Sequence, residues 1–254
     1  MQQQPKQGKH MKKLSLTLAV LALSATSALA QQVVRIGTEG AYPPFNFINE
    51  ANVLVGFEID LGNELCSRAN LTCEWVINDW DTIIPNLVGG NYDVIMAGMN
   101  ATESRAQVIS FANAYKRPDP SAYMALAGTD PSVMTGGVIA AQSNTVQSGM
   151  VSETSATLIE FPTPDETIAA VRNGTADAVL ADKDFLLTYL NDSGGQFVFI
   201  GEMMPPGQGV SPGIRQSDDE LRAAFNAAIE SMKADGSLNA LLTQWFGEDV
   251  PLFE

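Results

Sequence analysis

Histidine is almost missing: the 254-residue chain has a single one, His10. It falls in a stretch expected to be removed. Lys12 and Lys13 precede an apolar run from Leu14 to Leu23, and Ala28-Leu29-Ala30 has the small residues of a signal-peptidase site, so residues 1–30 read as a signal peptide cleaved after Ala30. The exported chain then has no histidine, which leaves Ser-His-Asp and Cys-His catalysis, and His-ligated zinc or iron, without their essential residue. No cofactor and no metal are expected. Long apolar runs are missing too, since none reaches the ~20 residues of a membrane-spanning helix, so the exported protein is expected to be soluble. Basic residues are scarce, 14 Lys and Arg against 29 Asp and Glu. Loss of residues 1–30 takes four lysines and no acid, giving 10 − 29 = −19. A chain so acidic repels phosphate backbones, so nucleic acid is not an expected partner. There are two cysteines, Cys66 and Cys73. In an exported chain, at a helix end and a strand start, they suit a disulfide better than a metal site.

What is present is alternation of strand and helix. A strand at Val33–Thr38 leads to a Pro-bearing loop and a small hairpin, Phe45–Ile48 with Leu54–Phe57. A helix from Asp60 to Ala69, a strand at Cys73–Ile77 and a helix at Thr82–Val88 follow, then a strand at Val94–Met96. After the polar, Pro-bearing stretch Lys116–Ser121 a second series begins: strands at Ala122–Ala127, Val138–Ala141 and Thr157–Phe161, a helix at Pro164–Asn173, a strand at Ala178–Ala181 and a helix at Asp184–Leu190. Pro205–Gly209 then leads back to Val210–Ile214 and two closing helices, Asp218–Ala234 and Leu238–Phe246. This pattern predicts an α/β fold of two lobes, each a mostly parallel sheet with flanking helices, joined by two hinge crossings. The predicted bounds are 31–118 for the first part of lobe 1, 119–207 for lobe 2, and 208–254 for the return.

Ligands of such sheets sit beyond the carboxyl ends of the strands. The loops there carry Glu39 and Tyr42, then Trp80, then Gly98, Asn100 and Arg105. Arg105 follows a strand that ends at Gly98 and a helix start capped by Thr102, where backbone N–H groups, the helix dipole and a planar guanidinium favour a carboxylate. The second series offers Asn144 and Thr145 after its first strand, with Asn144 suited to a left-handed backbone, and Asp182 after Ala178–Ala181, as helix cap, ligand contact or both.

Several motifs together resemble one family: Ile36-Gly37-Thr38-Glu39-Gly40-Ala41-Tyr42-Pro43-Pro44-Phe45, Val55-Gly56-Phe57-Glu58-Ile59-Asp60-Leu61, Trp80-Asp81-Thr82-Ile83-Ile84-Pro85, Tyr92 to Arg105, and Trp245-Phe246-Gly247. They are similar, in order and over nearly the whole exported chain, to the periplasmic polar-amino-acid-binding proteins of ABC importers, the type II periplasmic binding protein fold. The resemblance implies a non-enzymatic, monomeric periplasmic receptor that carries an amino acid to an inner-membrane ABC permease. It implies that Arg105, with Asn100, Gly98 and nearby backbone, holds the α-carboxylate, that Asp182 takes the α-ammonium, and that Tyr42 and Trp80 sandwich the side chain. Glu39 stands where relatives binding cationic amino acids or opines often carry an acid, and Cys66 with Cys73 matches a disulfide of the lysine, arginine, ornithine and histidine binders. Ala97 and Gly98 depart from the hydroxyl residues common there, Asn100 from serine, and Gly128–Gly137 lacks a helix-bearing insert. The same fold carries periplasmic dehydratases of the cyclohexadienyl type, whose acid–base chemistry would fall to Glu39, Asp182 and Lys183, although no second carboxylate is obviously placed to titrate high.

Overall fold

The computed structural model describes residues 1–3, 33–204 and 208–254. His10, the Ala28-Leu29-Ala30 site and Pro205 to Gly207 of the second crossing lie outside the described residues. In chain order the first part runs β1 (Val33–Thr38), β2 (Ala41–Tyr42), β3 (Asn46–Ile48), β4 (Leu54–Val55), α1 (Phe57–Arg68), β5 (Thr72–Ile77), a 3-10 turn (Trp80–Thr82), α2 (Ile83–Val88), β6 (Val94–Ile95), α3 (Glu103–Ala106) and β7 (Ser110–Phe111). The second part runs β8 (Ser121–Leu126), α4 (Val133–Gly136), β9 (Val138–Gln142), α5 (Val146–Ser152), β10 (Thr157–Phe161), α6 (Pro164–Arg172), β11 (Ala178–Asp182), α7 (Lys183–Asp192) and β12 (Phe197–Met204). Strand β13 (Gly213–Ile214) and helices α8 (Asp219–Ala234) and α9 (Ser237–Phe246) close the chain.

Among the described residues these strands form two five-stranded sheets, β5-β1-β6-β13-β7 and β10-β9-β11-β8-β12, and a small β2-β3-β4 sheet. The fold is the expected two-sheet α/β architecture, with a mixed strand sense. In the first large sheet β5, β1 and β6 are parallel and β13 is antiparallel to both its neighbours. In the second, β10, β9 and β11 are parallel while β8 runs against β11 and β12. The antiparallel strands β8 and β13 are the ones entered from the other sheet, so they need no helical crossover of the kind that makes neighbours parallel.

Period-two alternation splits the apolar residues of the first sheet between its faces. Val94 and Met96 join the core under α1, α8 and α9, while Ile95 and Ala97 pack with Trp80, Ile83, Leu87, Tyr92 and Met99 on the other side. Helix α8 buries Phe225, Ala228, Ile229 and Met232 at helical spacing. Helix α1 begins three residues before the expected Asp60. Its first turns are fixed by backbone bonds rather than a capping side chain, with Phe57 N donating to Pro44 O and Glu58 N to Phe45 O. Cys66 and Cys73 are joined, with Cα atoms 6.2 Å apart, tying the end of α1 to β5.

The two passages between the large sheets lie side by side. Val210 exchanges backbone hydrogen bonds with Tyr115 and Lys116, and a Cβ on Gly209 would meet the Lys116 carbonyl oxygen at 2.8 Å, so only glycine allows this approach. Lys116, expected in a polar linker, is fully buried. Its Nζ lies 2.8 Å from Asp184 of α7 and over the Phe246 ring of α9, so a cation leaving the first sheet is neutralised by the second. The stretch without the expected insert holds only the single turn α4.

Candidate functional site

The carboxyl ends of the two sheets face each other across a cleft with about 320 Å³ free of protein atoms. One wall is Glu39, Tyr42, Trp80, Ala97, Gly98, Asn100 and Arg105, and the other is Gln142, Thr145, Val146, Gln147 and Asp182. Of the nine residues expected at the site, eight line this cleft. Asn144 stands just outside it: its side chain donates to Asp81 and its carbonyl accepts from Arg105.

Arg105 is fixed by contacts that leave its charge unneutralised. Thr102 caps α3 by accepting the Arg105 N–H at 3.3 Å. The guanidinium lies over the Trp80 ring, 5.1 Å from its centroid, and donates to the carbonyls of Asn100 (2.9 Å) and Asn144 (3.2 Å). Burial pulls it down to about 10, with the Asp182 charge working the other way. Helix α3 is a single turn, too short for the dipole expected there to contribute much, so the guanidinium carries the attraction for an anion.

Two carboxylates also line the pocket, Glu39 on the wall of Arg105 and Asp182 on the other. Asp182 is N-cap of α7 by position, yet its side chain makes no cap bond. Its Oδ2 accepts from the Tyr42 hydroxyl at 2.8 Å and its Oδ1 from Gln147 Nε2 at 2.9 Å. Burial pushes the Asp182 carboxyl up, opposed by Tyr42, Lys116 and Gln147. Glu39 accepts from Gln142 Nε2 at 2.6 Å. Burial, with Asp79, Asp81 and Asp165 nearby, raises it to about 7 despite that bond. The expectation that no second carboxylate titrates high is therefore corrected, because both are cut off from water. Among the described residues, none of Arg105, Glu39 and Asp182 enters an ion pair.

The aromatic residues are held from behind. Tyr42 stacks on Phe185 of α7, centroids 4.4 Å apart and planes 5° from parallel, while Arg105 occupies a face of Trp80. Gly98 has φ +62, and a Cβ there would come within 3.3 Å of the Tyr42 ring, so glycine suits both the left-handed backbone and the close approach of Tyr42. The Gly98 N–H donates to the buried carboxylate of Glu58 (2.7 Å), which also accepts from Tyr115 and Asn46 and so fixes the loop from beneath. Thr145 lines the pocket, but its hydroxyl caps α5 and donates to Gln142 O.

Sequence reasoning missed Gln142, Val146 and Gln147. Gln142 ends β9, at the carboxyl edge where ligands sit, and that position was the signal available. Gln147 belongs to α5, a helix the sequence does not announce.

Two α/β sheets whose carboxyl edges enclose a buried guanidinium and two buried carboxylates define a small-molecule receptor for a ligand bearing both signs of charge. The chain belongs to the bacterial extracellular solute-binding proteins, family 3, whose family profile matches residues 34–248. It is 31% identical over 259 residues to the L-arginine-binding protein of Pseudomonas aeruginosa, covering 94% of this chain and 98% of that one. It is 35% identical over 260 residues to the histidine-binding periplasmic protein of Salmonella typhimurium, covering 94% and 99%. A periplasmic His/Glu/Gln/Arg/opine family-binding protein from Silicibacter pomeroyi, crystallised in complex with lysine, superposes with a TM-score of 0.83 at 57% identity over 87% of this chain and 100% of that one. These relatives are solute-binding proteins rather than enzymes, and those named as periplasmic place the family in that compartment.

Proposed function

We propose that this protein is the receptor of an amino-acid ABC importer, closing two lobes on a polar amino acid of cationic or opine type and delivering it, as a monomer, to an inner-membrane permease. The exported form starts at Gln31, and the lobes divide as 31–118, 119–207 and 208–254. The observation that carries this reading is the charge pattern of the cleft: Arg105 and Glu39 on one wall and Asp182 on the other, none of them with an ion-pair partner among the described residues. An α-carboxylate on Arg105, an α-ammonium on Asp182 and a second cation near Glu39 supply each missing charge, and desolvated charges gain most from being matched. Gly98 and Asn100 border the carboxylate end, Tyr42 and Trp80 flank the ligand, and Thr145 with Asn144 supports the wall from the second lobe.

A thermal-shift screen of refolded, ligand-stripped protein tests this. A ligand at 100 times its Kd adds about 2.7 kcal/mol of stability. Lysine or arginine should raise the melting temperature, whereas cadaverine and agmatine, which lack the carboxylate, should not. No shift with any α-amino acid or opine would end the proposal. A raised carboxylate in a cleft also suits acid–base chemistry. Lys183, however, is not among the residues lining the cleft, and the relatives bind solutes, so no turnover of prephenate or arogenate is expected.

A further inference from the structure

Contacts between the two walls are of two kinds. Tyr42 to Asp182, Glu39 to Gln142, and Arg105 to the Asn144 carbonyl all use a side chain that lines the pocket, so a ligand competes for them. The other kind uses none. Asp81, in the turn after β5, accepts on Oδ1 from Ser143 Oγ at 2.6 Å and from Asn144 Nδ2 at 2.9 Å, both in the loop after β9. None of these three residues lines the pocket. Asn144 has φ 57, a left-handed conformation that asparagine tolerates, and the turn presents its side chain to Asp81 and its carbonyl to Arg105.

We propose that Asp81 is an affinity-determining positioning residue, a latch that holds the two lobes together from outside the ligand site and slows the release of every ligand alike. A contact made only in the closed form shifts the open–closed equilibrium by a fixed amount, whatever occupies the pocket. The local fold does not depend on it. The turn is held by Thr82 N to Asp79 O and by Asn78 Nδ2 to Asp79 O and Thr82 Oγ1, and among the described residues the Asp81 carboxylate has no other hydrogen bond.

The inference rests on the lobe-closing reading above, and its test separates the two. Kd and dissociation rate are measured with L-lysine and L-glutamine for wild type, Asp81→Ala, Ser143→Ala and the double variant. Because the latch is solvent-exposed, Asp81→Ala should raise Kd for glutamine by about three- to tenfold, mostly through faster dissociation. Glutamine is the cleaner probe, since the Asp81 charge also acts on Glu39 and so on a cationic ligand. Ser143→Ala, which changes no charge, should weaken both ligands by the same smaller factor and add nothing in the Asp81→Ala background. The ligand-free melting temperature should not move, which distinguishes a latch from a structural role. Unchanged glutamine binding in Asp81→Ala, or independent additive losses in the double variant, would overturn the proposal. If wild type binds neither probe, the amino-acid reading fails by itself. Small-angle scattering of ligand-free wild type and Asp81→Ala then decides the latch: a larger radius of gyration in the variant supports it and equal radii overturn it.

Discussion

The first lobe carries charge at both ends of its sheet, and the two ends handle it in opposite ways. At the amino end of β6, Asp93 accepts from Arg35 N, Nε and Nη2 and from Arg215 Nη2, at 2.8 to 3.2 Å, and Arg215 also pairs with Asp218 at 2.6 Å. Burial works to raise the Asp93 carboxyl, but the two arginines outweigh it and hold it below the usual carboxylate range. At the carboxyl end, Glu39 is raised to about 7 and Arg105 is lowered to about 10, each mainly by burial. One end completes its ion pairs within the chain and contributes stability. The other leaves its charges desolvated and without ion-pair partners, at a cost that a ligand would relieve on the reading proposed above. Sites built for binding commonly give up stability in this way.

The sharpest way to break this contrast is to remove a charge from each end. Arg105→Ala and Asp182→Ala should each weaken lysine binding a hundredfold or more, on the basis of roughly 2 to 5 kcal/mol for one partner of a buried pair. Arg105→Lys should not restore it, since a point ammonium does not reproduce the planar fork. Asp93→Asn should do the reverse, lowering stability by about 1 to 3 kcal/mol in denaturant titrations while leaving Kd within about twofold. Appreciable loss of binding in Asp93→Asn would mean that the two ends are not independent.

A smaller effect sharpens the comparison through pH. The Glu39 carboxyl is raised in the folded state, so its contribution to stability is full below its ordinary value near 4.5 and is lost as pH rises through about 7. Asp93 is lowered, so its contribution is present above its ordinary value of 3.8 and is lost as pH falls through the still lower folded value. Ligand-free protein should therefore lose the Glu39 contribution between pH 4.5 and 7, and Glu39→Gln should flatten that trend. A cationic ligand favours ionised Glu39, so lysine should bind more tightly, with proton release, as pH rises across the same window. Calorimetry in buffers of different ionisation enthalpy reads that proton. Glu39→Gln should abolish it, weaken lysine by about tenfold and spare glutamine. An equal loss for both ligands would leave the carboxylate clamp standing and remove the cationic preference.

Smallest is the bridge between Cys66 and Cys73, which lies away from the cleft in a loop with a sequence separation of 7. Its reduction should cost about 2 kcal/mol with Kd unchanged, and two freely alkylating thiols in the unreduced native protein would deny the bond.

Much of this was legible in the sequence because the residues concerned follow local rules. Alternating or continuous apolar residues mark β1, β5 and β8, i to i+4 spacing marks α8, and the rule that ligands sit at carboxyl strand ends puts Glu39, Trp80 and Arg105 on one rim and Asp182 at a strand end of the second lobe. What was not legible depends on partners distant in the chain. Helix α5, Val-Gln-Ser-Gly-Met-Val-Ser, has poor intrinsic helix formers and exists because Thr145 caps it and the second sheet covers Gln147, Ser148 and Val151. Strand β12 is an edge strand shaped by pairing with β8. Lys116 looks like a linker residue until Asp184, 68 positions later, is seen beside it (184 − 116). The role of Asn144 likewise depends on Asp81 across the cleft.

The central claim is that Arg105 is held without an ion-pair partner for the sake of a ligand carboxylate. Its most direct test is calorimetric titration of L-lysine into ligand-stripped wild type and Arg105→Ala, with the melting temperature of each ligand-free protein recorded alongside. The account predicts at least a hundredfold weaker binding and a melting temperature equal to or above that of wild type, because a desolvated and unneutralised charge has been removed. Lysine binding within threefold of wild type, or a variant that melts well below it, would contradict the account.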